Sequence, residues 1–137
     1  MKPKKDKIIC VIDDDVFFQH LTKRLIDKFL TGYQLLPFEN GRLALDFFES
    51  NMHAVGNLPQ LILVDINMPV MDGWQFLEEF RQLAKGEYKP IIYMSSSSSD
   101  QDDIDRANTY KQLRGYLTKP ILMPQMSLLL SSAFDLF

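Results

Sequence analysis

The sequence predicts an α/β fold in which a parallel sheet is layered between helices on both faces. Two observations carry this expectation. Short apolar, β-rich runs alternate five times with segments of helical spacing, and repeated strand–helix units imply a parallel sheet with both faces covered. The first run, IICVI at 8–12, is continuously apolar rather than alternating, as a strand buried on both faces requires. With 137 residues, 46% hydrophobic and 24% charged, the chain fits one domain able to bury a core without staples.

The elements follow in order. A strand over 7–12 leads into a helix over 15–30, where Val16, Phe17, Leu21, Leu25 and Phe29 fall near helical spacing and Gly32 punctuates. A second strand, 33–38, precedes a helix over 40–50 whose apolar face is read as Leu43, Ala44, Phe47 and Phe48. Residues 51–60 read as a loop, and 61–64 as a short, fully apolar third strand. Next comes a loop with Met68–Pro69 as a rigid entry and Asp72–Gly73 as a turn. Helical spacing resumes over 74–85 through Phe76, Leu77, Phe80 and Leu83, with Trp74 packing at the helix start. A fourth strand at 91–94 ends in the serine run 95–99. A polar helix over 100–110 has Ile104, Ala107 and Tyr110 as its few apolar positions. A fifth strand, 115–117, precedes a last helix over 123–137. There Met126, Leu129, Leu130, Ala133, Phe134 and Phe137 share a face, while Leu122, Leu128 and Leu136 fall outside it.

Composition excludes several classes. No apolar run reaches the roughly 20 residues of a membrane span, and the basic start lacks the apolar stretch and cleavage site of a secretory leader. The expected location is the cytoplasm. A net charge of −3 argues against a nucleic-acid binder. Lys2, Lys4, Lys5 and Lys7 read as a solvated arm, with residues 1–6 outside the domain proper. The single cysteine, Cys10, reads as a small buried hydrophobe. His20 and His53 have no partner pattern and read as surface residues.

The polar residues at the strand ends carry the chemistry. Strand 1 ends in Asp13, Asp14 and Asp15, strand 3 in Asp65, strand 4 in Ser95, and strand 5 in Thr118 and Lys119. Ligands of open parallel sheets bind in the crevice outside the carboxyl ends of the strands. Carboxylates gathered there raise one another's pKa, and a hard divalent cation such as Mg²⁺ relieves the repulsion through oxygen ligands. Asp15 is better explained as a helix N-terminal residue. Asp65 has no such explanation, because a loop follows it rather than a helix.

Taken together, VIDDD after strand 1, VDINMPVMDGW after strand 3, IIYMSS at strand 4 and GYLTKP at strand 5 resemble the receiver domains of two-component response regulators. The resemblance runs from about residue 7 to the C-terminus, making 7–137 the expected domain. It implies a flavodoxin-like (βα)5 fold with strand order 2-1-3-4-5, an order for which receiver domains are themselves a standard example.

The resemblance also implies roles. Asp65 matches the phosphoryl acceptor, a carboxylate nucleophile that forms an acyl phosphate. Asp13 and Asp14 match the acidic pair that holds Mg²⁺, with Mn²⁺ as an alternative. Asp14 and Asp65 are expected to ligate directly, Asp13 partly through water, and Asn67 through its backbone carbonyl. Lys119 matches the lysine that pairs with the phosphoryl oxygens. It must lean across strand 4, about 10 Å, and the Lys119–Pro120 bond is expected to be cis. Ser95 matches the switch hydroxyl and Tyr116 the aromatic switch position. Asn67 and Ser97 border the path of an attacking water. Two positions depart from the usual pattern: Ser96, where a small apolar residue is common and where the serine run suggests a looser loop, and Ile121, which stays apolar.

The expected function is a signalling switch, not a turnover enzyme. A sensor histidine kinase or phosphotransfer protein would donate the phosphoryl group, and an unidentified downstream protein would read helix 4, strand 5 and helix 5. Helices 4 and 5 are also read as a homodimer surface. Because the sequence ends after the last helix, output by protein contact or by onward phosphoryl transfer is expected, without nucleic acid or membrane. Two alternatives are a degenerate module that binds partners without phosphorylation, and an aspartyl-phosphate phosphatase. The latter wants a second acid two residues after the nucleophile, where Asn67 stands.

Overall fold

The computed structural model describes residues 7–84 and 86–135. Residues 1–6, read above as a basic arm, and Leu136 and Phe137, expected above in the last helix, lie outside the described residues. Five strands, β1 (Lys7–Ile12), β2 (Tyr33–Phe38), β3 (Leu61–Asp65), β4 (Ile91–Ser96) and β5 (Leu113–Thr118), alternate with α1 (Val16–Asp27), α2 (Gly41–Asn51), α3 (Gly73–Leu83), α4 (Gln101–Asn108) and α5 (Met123–Phe134). The sheet order is β2-β1-β3-β4-β5 and every pairing is parallel. The expected three-layer architecture and strand order are both present.

Side chains alternate across the strands and feed two cores. Cys10, Ile12, Ile62, Val64, Ile92 and Met94 point to the layer formed by α2, α3 and α4. Ile9, Val11, Leu61 and Leu63 point to α1 and α5. The first core is aromatic: Phe80 meets Phe48 edge-on at 4.8 Å and stacks on Phe76 at 5.4 Å. Each fully buried ring contributes on the order of 2–3 kcal/mol by removal from water.

Helix starts follow their caps. Asp15 accepts from the N–H groups of Phe17 and Phe18, as the sequence reading of that residue required. Asn40 and Asp100 cap α2 and α4. The Asp72–Gly73 pair is the start of α3 and not a free turn: Asp72 and Gln75 form a reciprocal capping box.

The faces of two helices differ from expectation. On α1 the buried positions are Phe18, Thr22 and Ile26, while Phe17 is 69% exposed and Val16 and Leu21 are also exposed. The true stripe runs through a threonine, whose hydroxyl hides it from a hydropathy count. On α2 the buried face is Ala44, Leu45 and Phe48, and Leu43 points outward. Strand β5 begins two residues before expectation because a bulge interrupts its pairing: Ile92 pairs with Leu113 but Tyr93 with Gly115. Cys10, Trp74, His20 and His53 lie as expected, the first two buried and the histidines exposed.

Candidate functional site

The carboxyl ends of β1, β3, β4 and β5 converge on one acidic pocket. Asp13 follows β1 and is 1% exposed. Its N–H donates to Phe38 O (2.9 Å), and its Oδ1 accepts from the Asp15 N–H (2.9 Å). Gln19 of α1 sends one amide nitrogen toward Val11 O, Asp13 O and Phe38 O, at 3.0, 3.1 and 3.3 Å. That group ties α1 to the ends of β1 and β2, which is where Asp13 and Asp14 are held. Asp14 is exposed at the mouth.

Asp65 closes β3, is 6% exposed and lies in register with Ser95 of β4. Its backbone is packed against the first residue of α3. A Cβ on Gly73 would lie 2.3 Å from Asp65 O, so only glycine allows this approach. The Gly73 N–H donates to Ile66 O at 2.8 Å, closing the loop between. Within it Val70 holds φ 71°, a left-handed conformation uncommon for a β-branched residue, and is 80% exposed.

Lys119 reaches across β4, as its expected role requires. Its N–H donates to Ser96 O (2.8 Å), and its Nζ lies 2.5 Å from Asp13 Oδ2 and 3.4 Å from Asp65 Oδ2. The ammonium also sits 4.2 Å from the centre of the Phe18 ring. The Lys119–Pro120 bond is cis. Phe18 and Gln19 were given no site role in the sequence, and Gly73 was read there only as part of a turn. Gly73 alone left a trace there, as the glycine following Met68–Pro69 and Asp72.

Burial is the main reason the Asp65 carboxyl titrates high, at about 6; the Asp13 charge adds to it, while Lys119 and the Asn67 N–H oppose it. Burial likewise raises Asp13, against the pull of Lys119. Asp13, Asp14 and Asp65 can each aim one oxygen so that the three lie within 4.8 Å of one another. Asp13 Oδ2 meets Lys119 as an ion pair without a well-oriented hydrogen-bond donor. Three hard carboxylate oxygen donors gathered in one pocket suit a small divalent cation.

Ser95 is 1% exposed, and its Oγ has no hydrogen-bond partner. Tyr116 is half-buried against the α2–α3–α4 core, and its hydroxyl donates to Ser98 O at 2.7 Å. Side-chain hydrogen bonds run through the serine run. Ser96 belongs to β4 and is buried; its Oγ accepts from Ser98 N, Ser98 Oγ accepts from Asp100 N, and Asp100 caps α4. Serine hydroxyls replace the missing strand partners step by step. Asn67 is exposed beside Asp65, and Ser97 is exposed beyond Ser96.

The response regulator receiver domain matches residues 9–131. This chain belongs to that family. Receiver domains are signalling modules of two-component systems, which agrees with a pocket built at strand ends rather than in a substrate cleft. The chain is similar to a two-component response regulator from Cytophaga hutchinsonii, with a TM-score of 0.85 and 26% identity, covering 96% of this chain and 98% of that one. It is 25% identical over 114 residues to the response regulator Rcp1 of Synechocystis, covering 82% and 76% of the two chains. The Mn²⁺-bound form of Rcp1 superposes with a TM-score of 0.74. A 14.6 kDa protein of Leptolyngbya boryana is 30% identical, with 82% and 79% covered. No helix among the described residues is long and apolar enough to cross a membrane.

Proposed function

We propose that this receiver domain is a phosphoryl-accepting switch in which Asp65 takes the group from a phosphohistidine of a sensor kinase or phosphotransfer protein. A carboxylate oxygen of Asp65 attacks phosphorus, the P–N bond breaks, and the imidazole leaves and gains a proton. Asp13, Asp14, Asp65 and the backbone carbonyl of Asn67 would hold Mg²⁺ or Mn²⁺, Asp13 partly through water. The ion would supply charge neutralisation for the phosphoryl oxygens. Rcp1, a relative, has been solved with Mn²⁺.

The observation that carries the reading is the reach of Lys119. Its ammonium stands between Asp13 and Asp65, where it can follow the phosphoryl oxygens once Asp65 is phosphorylated. The unpartnered Ser95 hydroxyl, beside Asp65 in register, is free to donate to the same group. Moving Ser95 would draw in the segment that Tyr116 holds through Ser98 O, with the ring turning inward. The altered α4, β5 and α5 surface would then be read by a downstream protein in the cytoplasm, or by a second copy of the chain. No turnover of a substrate is involved.

Intact mass after incubation with acetyl phosphate, with and without Mg²⁺, tests this. A Mg²⁺-dependent gain of one phosphoryl group, absent in Asp65→Asn, is expected. If neither acetyl phosphate nor beryllofluoride alters the folded protein, the domain is a binding module that does not use phosphorylation.

A further inference from the structure

At the opposite end of the sheet from Asp65 lies a second depression. It opens where α3 ends and where β4 and β5 begin, and its volume is about 510 Å³. Its floor is apolar: Phe80, Tyr88 and Ile92 are all buried side chains of the main core. Its rim is cationic, with Arg81, Lys89, Lys111 and Arg114. A neighbouring depression shares Arg81, Lys111 and Gln112 and adds Arg106, so the two form one groove along the α3–α4 side.

Three features point to a ligand. First, the charge is concentrated against the trend of the molecule. Five cations line the groove, with Glu78 as its one carboxylate, in a chain of net charge −3. Only Arg81 is ion-paired, to Glu78 at 2.8 Å; Lys89, Lys111 and Arg114 have no ion-pair partner among the described residues. Second, the β5 bulge makes Arg114 the extra, unpaired residue between Leu113 and Gly115. Bulges re-aim side chains in this way, often beside binding sites. Third, the polar donors of the floor are already committed, Tyr88 Oη to Pro59 O (2.7 Å) and Gln112 Nε2 to Leu77 O (3.0 Å). With those donors committed, the floor suits an apolar group and the rim an anionic one.

We propose that this groove docks an acidic segment of a partner protein, with one aromatic or large aliphatic side chain in the cavity and flanking Asp or Glu residues on the cationic rim. A small-molecule site usually offers convergent polar groups that orient its ligand. Here the charges stand on long exposed arms spread along a groove, an arrangement that suits carboxylates spaced along a chain. Such charges steer encounter and fix orientation, while the apolar anchor supplies the binding energy. The proposal is independent of the chemistry at Asp65.

The test uses the full chain and an array of labelled 15-residue peptides (about 15 is ample for the groove). Each peptide pairs one central anchor, Trp, Phe, Leu or Ala, with an increasing number of acidic flanks, and binding is read by fluorescence anisotropy. Saturable binding is expected only for peptides with both a large anchor and acidic flanks. Lys111→Glu with Arg114→Glu should weaken it by about tenfold or more, and added salt should weaken it likewise. Ala84→Phe, which fills the cavity from its wall, should abolish the preference for a large anchor. Lys28→Glu, just past the end of α1, should leave affinity unchanged. No saturable binding across the array overturns the proposal, as does binding indifferent to both sets of changes at the groove. Equally tight binding of anilinonaphthalene sulfonate at the same residues would assign the groove to small aromatic anions and overturn the protein-segment reading.

Discussion

At the scale of single residues, the acidic pocket stores electrostatic cost. Asp65 titrates at about 6 because it is buried beside Asp13, so its ionised form is disfavoured in the fold. A carboxyl raised in this way stabilises the fold fully below its unfolded pKa, near 3.8, and that stabilisation is lost as pH rises through about 6. Metal-free protein should therefore lose about 1–3 kcal/mol between pH 4 and pH 6.5 from this group. Asp65→Asn should remove most of that slope and be more stable than the parent at pH 7, as read by thermal unfolding in chelator. Added Mg²⁺ should restore the parent at pH 7 and lose its effect as the pH falls through about 6. Gly73 is the complementary case, where backbone rather than charge sets the requirement. Gly73→Ala places a methyl group against Asp65 O and should cost about 2 kcal/mol or more. Phosphoryl uptake by the protein that remains folded should fall as well, because the loop holding Asn67 must shift.

At the scale of elements, α4 is the least anchored helix. Ala107 is its one buried residue among those described. The Arg106 guanidinium lies 4.5 Å over Trp74, and Tyr110, just past the helix, meets Trp74 at 5.4 Å. Elements with so little buried area open at low free-energy cost. Beryllofluoride with Mg²⁺ should change hydrogen exchange across 97–118 while leaving β1 and β3 unchanged; unaltered protection there would show that α4 does not respond. Trp74 stands at the start of α3, directly after the loop that begins at Asp65, so its fluorescence should report the same event.

At the scale of the whole molecule, α5 buries Met126, Leu129 and Leu130 but leaves Leu122, Met123 and Leu128 exposed, which is the apolar surface that the proposed homodimer would use. Sedimentation equilibrium with the phosphoryl mimic should show a concentration-dependent mass, lost in Leu128→Asp; a monomer mass in all conditions would discard the homodimer. The sequence by itself determined the five strand–helix units, the parallel sheet and the set of polar residues at its carboxyl edge. Those follow from local apolar runs and from the rule that strand ends carry the ligand groups. Only the tertiary structure decided which stripe of α1 and α2 faces inward, because neighbouring apolar positions compete and packing chooses between them. It alone revealed Gly73 against Asp65, Phe18 beneath Lys119, Gln19 across two strand ends and Arg114 turned out by a bulge. Each is set by how neighbouring elements pack in three dimensions, and local periodicity carries no record of that packing.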